Sequence, residues 1–213
     1  MAENLTIGDS DVLLVIDLQA DFMPGGALGV ADGDAIVPLI NRIAAKFRNV
    51  VLTQDWHPAG HSSFATSHPG AKPFDVIAMP YVAQTLWPDH CVQASAGARL
   101  HADVAIDHAN LILRKGVNAK VDSYSAFMEA DRRTSTGLAA LLKARGVSRV
   151  FACGLATDFC VAWSALDARA AGLETFIIED ACRAIDVDDS LAQAWSQMHA
   201  AGVRRIASAE LGS

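Results

Sequence analysis

The sequence predicts an α/β fold, a three-layer α/β/α sandwich around a central, mainly parallel sheet of six strands. Two observations predict it. Short apolar runs without polar alternation recur along the chain, as in strands covered on both faces, and segments with apolar residues at helical spacing stand between them. Strands alternating with helices imply a parallel sheet with helices on both sides, and in such sheets ligands bind outside the carboxyl ends of the strands.

Residues 11–17 (DVLLVID) form the first strand, which ends on an acid, Asp17, at the sheet's carboxyl edge. Residues 34–47 carry Ile36, Leu39, Ile40, Ile43 and Phe47 at helical spacing, and a strand over 49–53 completes a βαβ unit. A third strand is expected over 109–114, a helix over 137–145, and a fourth strand over 149–153 that Gly154 closes. A helix over 158–171, capped by Thr157, precedes a strand over 173–178, a helix over 189–201 and a last short strand over 203–206. The exception to this regular alternation is the stretch 56–108, far longer than the usual connection and rich in histidine, proline and glycine. Long connections at the carboxyl edge carry function, so site residues are expected there.

The chain has 213 residues, 52% of them hydrophobic, enough for a full core, and no repeat or Ser/Gly-rich linker divides it. One domain over 1–213 is expected, with 56–108 as a metal-site or lid insertion. A net charge of −7 without any Lys/Arg run offers nothing to a phosphate backbone or an anionic bilayer, so the expected partner is a small molecule, with neither nucleic acid nor membrane. No apolar stretch reaches membrane-span length, and residues 1–10 lack the basic start and apolar core of a signal peptide, so a cytoplasmic location is expected. Cys91, Cys153, Cys160 and Cys182 fall in no C-x-x-C pair and are read as free thiols.

Cys160 stands in the first turn of a helix that directly follows a buried strand. Unpaired N–H groups and the positive end of the helix dipole there favour a thiolate, lowering a pKa that is about 8.5 when unperturbed. If Asp17, Lys115 and Cys160 leave three neighbouring parallel strands, they converge as base, positioning cation and nucleophile. Moving a proton from such a thiol to a carboxylate of pKa about 4 costs roughly 6 kcal/mol in water. Burial of Asp17 and the dipole at Cys160 are expected to narrow that gap from both sides, with Lys115 stabilising thiolate or oxyanion. Asp55 and His57, at i and i+2 after the second strand, point to one side, and His61 and His90 are within reach through the long loop. One carboxylate with two or three imidazoles suits zinc, iron or manganese better than calcium or magnesium. His68, His101, His108 and His199 show no such clustering and are read as surface residues.

Six motifs in order carry a resemblance to a known family. They are DLQADF at 17–22 with GGAL at 25–28, DWHPAGHSSF at 55–64, WPDHCVQ at 87–93, RKG at 114–116, DSYSAF at 122–127 and GLATDFCV at 154–161. The chain resembles the nicotinamidases, or pyrazinamidases, of the isochorismatase-like cysteine hydrolases over nearly its whole length. The resemblance implies an amidohydrolase that converts nicotinamide to nicotinic acid and ammonia in NAD salvage, and accepts pyrazinamide as well. It implies that Asp17 is the general base, that Lys115 orients and stabilises, and that Cys160 attacks the carboxamide carbon to form a thioester. Asp55, His57 and His90 are implied to hold one divalent metal, zinc first and iron or manganese otherwise, with His61 at or beside the site and the metal anchoring the pyridine nitrogen. Phe22 and Trp87 are implied to sandwich the ring and Tyr124 to line the pocket. The resemblance also implies that the N–H groups of Ala156 and Cys160 form the oxyanion hole after a cis peptide between Leu155 and Ala156. The family includes monomers and larger assemblies, which leaves a homo-oligomer open. Phe159 stands where some relatives have tyrosine and is read as peripheral.

Other members of the superfamily act on N-carbamoyl or ureido compounds or on an enol ether. They generally lack the Asp55, His57 and His90 set, so the metal ligands favour nicotinamide. A metal-binding or scaffolding protein without catalysis would lack one of Asp17, Lys115 and Cys160, and all three are present.

Overall fold

Apolar side chains from Val12 to Ile16 make the first strand a buried centrepiece, and the sheet assembles to either side of it. The computed structural model describes residues 5–212. In chain order the elements are β1 (Asp11–Ile16), α1 (Val37–Ala44), β2 (Asn49–Asp55), β3 (Val76–Ala78), β4 (Ala83–Thr85), β5 (Leu111–Lys115), α2 (Leu138–Ala144), β6 (Arg149–Leu155), α3 (Ala162–Ala170), β7 (Glu174–Arg183), α4 (Ser190–Ala200) and β8 (Arg204–Ile206). Six of the strands form one sheet in the order β5-β2-β1-β6-β7-β8, with every neighbouring pair parallel. The expected sheet is therefore present, and β3 and β4 form a separate antiparallel hairpin inside the long connection, which the apolar pattern did not announce.

From β1 the chain steps to β2 on one side, and from β6 it steps to β7 and β8 on the other. Right-handed crossovers then put α1 on one face of the sheet and α2, α3 and α4 on the opposite face. The direction of winding reverses between β1 and β6, which opens a crevice at their carboxyl ends. All six residues of β1 are buried, and register-paired Phe151 and Phe176 stack at 4.5 Å between β6 and β7. Asp11, buried at the start of β1, is neutralised by Arg149 at 2.6 Å.

Element ends differ from expectation for identifiable reasons. The helix expected over 34–47 begins as a 3-10 turn at Asp34–Ile36, and Pro38 then occupies the first turn of α1, where a missing N–H is tolerated. The strand expected to stop at Ile178 continues to Arg183. Glu179 and Asp180, which read as a strand end, are exposed and bond to Arg205 and Ser208, and beyond them Cys182 pairs in register with Gly154.

Gly154 holds the two central strands together. Its φ is +117°, and a Cβ there would lie 2.1 Å from the carbonyl oxygen of Ile16. Gly154→Ala is expected to lower stability by about 3 kcal/mol or more through strain and steric conflict in a close-packed core. For a chain of this size that is a fall in Tm of roughly 10 °C, and a thermal melt within about 2 °C of wild type would contradict the β1–β6 register.

Candidate active site

The reversal point between β1 and β6 collects the groups that the strands deliver. Ile16 pairs with Gly154 across β1 and β6, and Asp55 pairs with Lys115 across β2 and β5. Asp17 follows β1 in a left-handed conformation, φ +52°, which aspartate tolerates better than most residues. Lys115, Asp17 and Cys160 do not leave three neighbouring strands, because β2 lies between β5 and β1. The lysine side chain spans the gap, and β2 contributes Asp55 in between.

Lys115 Nζ lies 2.5 Å from Asp55 Oδ1, 2.9 Å from Asp17 Oδ2 and 3.3 Å from Cys160 Sγ, and donates to Ser123 O at 3.1 Å. Its side chain is wholly buried. Burial works against the ammonium, but Asp17, Asp55 and Cys160 outweigh it and hold the lysine pKa well above its ordinary range. Burial pushes Asp17 up, against Lys115. Burial also acts to raise Asp55, yet Lys115 and His57 prevail and leave it well below the usual carboxylate range. Asp17 Oδ1 accepts from Thr53 Oγ1 at 2.5 Å, while Oδ2 pairs with the Lys115 ammonium at 2.9 Å.

The thiol departs from expectation. Burial pushes Cys160 well above the ordinary thiol range, and Lys115 offsets only part of that. The expected lowering of the thiol is overturned, because desolvation of the buried sulfur outweighs the Lys115 ammonium. The turn carrying Cys160 is a π-helical one, Thr157–Val161, with the N–H of Val161 donating to Ala156 O. Ala156 is the N-cap, so Thr157 lies inside the turn and caps nothing. A π turn widens the helix start by one residue and is a feature of functional sites, and no sequence period signals it. The Leu155–Ala156 peptide is cis, as the resemblance implies. Neither the Ala156 nor the Cys160 N–H donates to a side chain or to backbone outside its own element among the described residues. Asp158 fixes the next wall, accepting from the N–H groups of Ile185 and Asp186 and from Ser190 Oγ.

Asp55, His57 and His90 offer donor atoms that all lie within 4.8 Å of one another. Asp55 Oδ2 faces His57 Nε2 at 3.6 Å and His90 Nε2 at 3.8 Å. Two ligand atoms at tetrahedral positions 2.1 Å from a metal are about 3.4 Å apart, and both separations from Asp55 lie within a few tenths of an ångström of that spacing. The other ring nitrogens are held from outside: His57 Nδ1 donates to Gly116 O at 3.0 Å and His90 Nδ1 to Pro88 O at 2.8 Å. That leaves both Nε2 lone pairs directed inward, the arrangement in which outer hydrogen bonds set the tautomer of a ligating histidine. Burial disfavours a charged His57, but Asp55 outweighs it and raises its pKa, so the pocket favours positive charge. The donor set fits a divalent metal ion. His61 stands beside this set, its ring 4.4 Å from that of His57, with Nδ1 bonded to Ser63 Oγ and Nε2 to Asn118 O. Both of its nitrogens are engaged away from Asp55.

A small cavity joins the two clusters, lined by Asp55, His57 and His90 and by Cys160. Phe22, Trp87, Tyr124 and Ala156 line it, as the resemblance implies, and so do Phe159, Ile185, Leu28 and Asp122. Phe159 is thus a wall rather than peripheral, its ring 4.9 Å from Trp87 and perpendicular to it. Its place beside the nucleophile in a turn was the available signal. Among the remaining histidines, His108 and His199 are exposed and His68 and His101 half-buried, none in the site.

The isochorismatase domain matches residues 11–210. A nicotinamidase of Acinetobacter baylyi is 55% identical over 196 residues, which cover 92% of each chain. The solved nicotinamidase/pyrazinamidase of Acinetobacter baumanii superposes with a TM-score of 0.95 at 54% identity, covering 95% of this chain and 98% of that one. A pyrazinamidase of Pyrococcus horikoshii solved in complex with zinc has a TM-score of 0.75 at 34% identity over 93% of this chain and 99% of its own.

The backbone at Gly116 makes the metal set testable. Its φ is +67°, and a Cβ there would lie 2.4 Å from His57 Cε1. Gly116→Ala is expected to push the imidazole off Gly116 O and weaken zinc binding about 10- to 100-fold. Competition against a chromophoric chelator checks this, and unchanged affinity in the folded variant would remove His57 from the ligand set.

Proposed function

The chain belongs to the isochorismatase family, and from that premise we propose that it hydrolyses nicotinamide to nicotinic acid and ammonia through a thioester on Cys160. One observation carries the reading. Asp55 turns Oδ1 to Lys115, which touches the nucleophile, and Oδ2 to the two histidines, so one carboxylate joins the bond-breaking cluster to the metal cluster. A small ring held at one end and cleaved at the other suits an aromatic carboxamide with a ring nitrogen. Asp55, His57 and His90 would hold the metal, zinc by analogy with the horikoshii relative, which supplies a Lewis-acid anchor for that nitrogen.

The chemistry then falls to the chain's own residues. Asp17 Oδ2 takes the thiol proton as Sγ attacks the carboxamide carbon. Lys115 stays charged throughout and contacts both the donor and the acceptor of that proton, so the transfer leaves the net charge of the closed pocket unchanged. The N–H groups of Ala156 and Cys160 receive the developing oxyanion. Protonated Asp17 gives its proton to the departing ammonia, water enters, and Asp17 activates it against the thioester to release nicotinic acid. Pyrazinamide, with a second ring nitrogen and the same carboxamide, fits the same slot and is a second substrate. The four cysteines are free and buried, which suits a reducing, cytosolic setting.

Cys160→Ala is expected to lower ammonia release from nicotinamide at least about a thousandfold, with Cys160→Ser nearly as slow, whereas Cys153→Ala keeps wild-type turnover. Undiminished turnover in Cys160→Ala would end the mechanism. Stripping the metal with a chelator is expected to raise KM for nicotinamide by about tenfold or more, with zinc restoring it. A verified metal-free enzyme with unchanged KM would contradict the anchoring role.

A further inference from the structure

Gln84 is a polar side chain where an apolar one would be ordinary. In the hairpin of β3 and β4 it is buried while Val76, Ala78 and Ala83 are exposed. Burying an amide is unfavourable unless its groups are bonded. Its Nε2 lies within hydrogen-bond distance of three acceptors that share its two N–H groups, Thr85 O at 2.7 Å, Asp122 Oδ2 at 2.7 Å and Tyr124 Oη at 2.9 Å, yet its Oε1 has no partner among the described residues. An amide that leaves its own carbonyl unsatisfied is a poor choice for packing alone. Its fitness lies in what the donor end holds.

That end holds the wall of the ring slot. Tyr124 and Asp122 both line the catalytic cavity. Trp87, three residues beyond Gln84, donates its Nε1 to the same Tyr124 oxygen at 3.0 Å, so one short segment grips one hydroxyl from two positions. Backbone bonds tie that segment down, from Trp87 N to Ser63 O and from Leu86 N to Asp75 O. Trp87 and Tyr124 consequently stand edge to face at 6.2 Å, each also against Phe159. Gln84 makes no contact with Cys160, Lys115 or Asp17 in this network.

We propose that Gln84 is a positioning residue for substrate binding, which sets the width of the ring slot by fixing Tyr124 and Asp122 from the hairpin. The proposal rests on the nicotinamide reading above. Loss of the amide lets the Tyr124 ring move while the reacting groups keep their places, so affinity falls and the chemical step does not.

The test is steady-state nicotinamide hydrolysis by the zinc-loaded wild type, Gln84→Met, Tyr124→Phe and the double variant, together with the rate of Cys160 alkylation by iodoacetamide. Gln84→Met is expected to raise KM about tenfold with kcat within about threefold and the alkylation rate within about twofold of wild type. The double variant is expected to be no worse than Tyr124→Phe alone, because both changes break the same bond. Should Gln84→Met fail to fold, Tyr124→Phe, which removes only the hydroxyl, carries the same KM-against-kcat split. An unchanged KM, a fall in kcat matched by slower alkylation, or fully additive penalties would overturn the proposal while leaving the function intact. A wild-type enzyme inert toward nicotinamide overturns the functional reading itself, and this proposal with it.

Discussion

The ammonium of Lys115 lies wholly out of water between two carboxylates and a thiol, and the arrangement of the other site residues follows from satisfying it. An isolated buried cation carries a desolvation penalty of several kcal/mol, which a pair of well-placed carboxylates can offset but rarely exceed. Such a cluster therefore adds little net stability, whereas loss of one member leaves an uncompensated charge and is strongly destabilising. With Asp17 and Asp55 both ionised the three groups sum to one negative charge. That residual charge faces the histidines and accounts for a pocket that draws in a cation. The electrostatics of the nucleophile and of the metal set are one problem, solved by one lysine and a shared aspartate.

The sheet supplies the distances. Parallel register places Asp55 beside Lys115 and Ile16 beside Gly154, so the acid that follows β1 and the turn that follows β6 meet at the reversal of winding. Gly154 permits that meeting because a side chain there would collide with the backbone of β1. The edge position of β5 sets how far Lys115 must reach. Its long stem spans β2, a task that a shorter cation could not perform, and the stem is buried along its length.

Much of this was legible in the sequence, for physical reasons that also mark where legibility ended. A continuous apolar run ending in Asp17, with expected strands over 49–53 and 109–114 just ahead of Asp55 and Lys115, announces parallel strands that deliver these residues to a common edge, and the order of motifs identified the family. Strand order was not legible: nothing in the runs themselves says that β2 separates β5 from β1. The β3–β4 hairpin escaped because its strands are three residues each and mostly exposed, so they lack the apolar signal of a covered strand. The π turn escaped because the spacing of apolar side chains in five residues cannot distinguish it from an ordinary helix start. Phe159 was misjudged for a related reason, since the widened turn points it into the slot beside Cys160.

The thiol shows how burial can overturn an argument from local geometry. A helix start favours a thiolate when its N–H groups are the dominant influence, but the buried Cys160 sulfur loses more from desolvation than the Lys115 ammonium returns. A raised thiol pKa is no obstacle to the reaction, because burial raises Asp17 in the same direction and the relevant quantity is the difference between the two. A proton exchanged inside one closed pocket, beside a lysine that stays charged, encounters the same dielectric before and after. Under the proposed mechanism, the substrate carbonyl and the N–H groups of Ala156 and Cys160 supply what makes the transfer favourable.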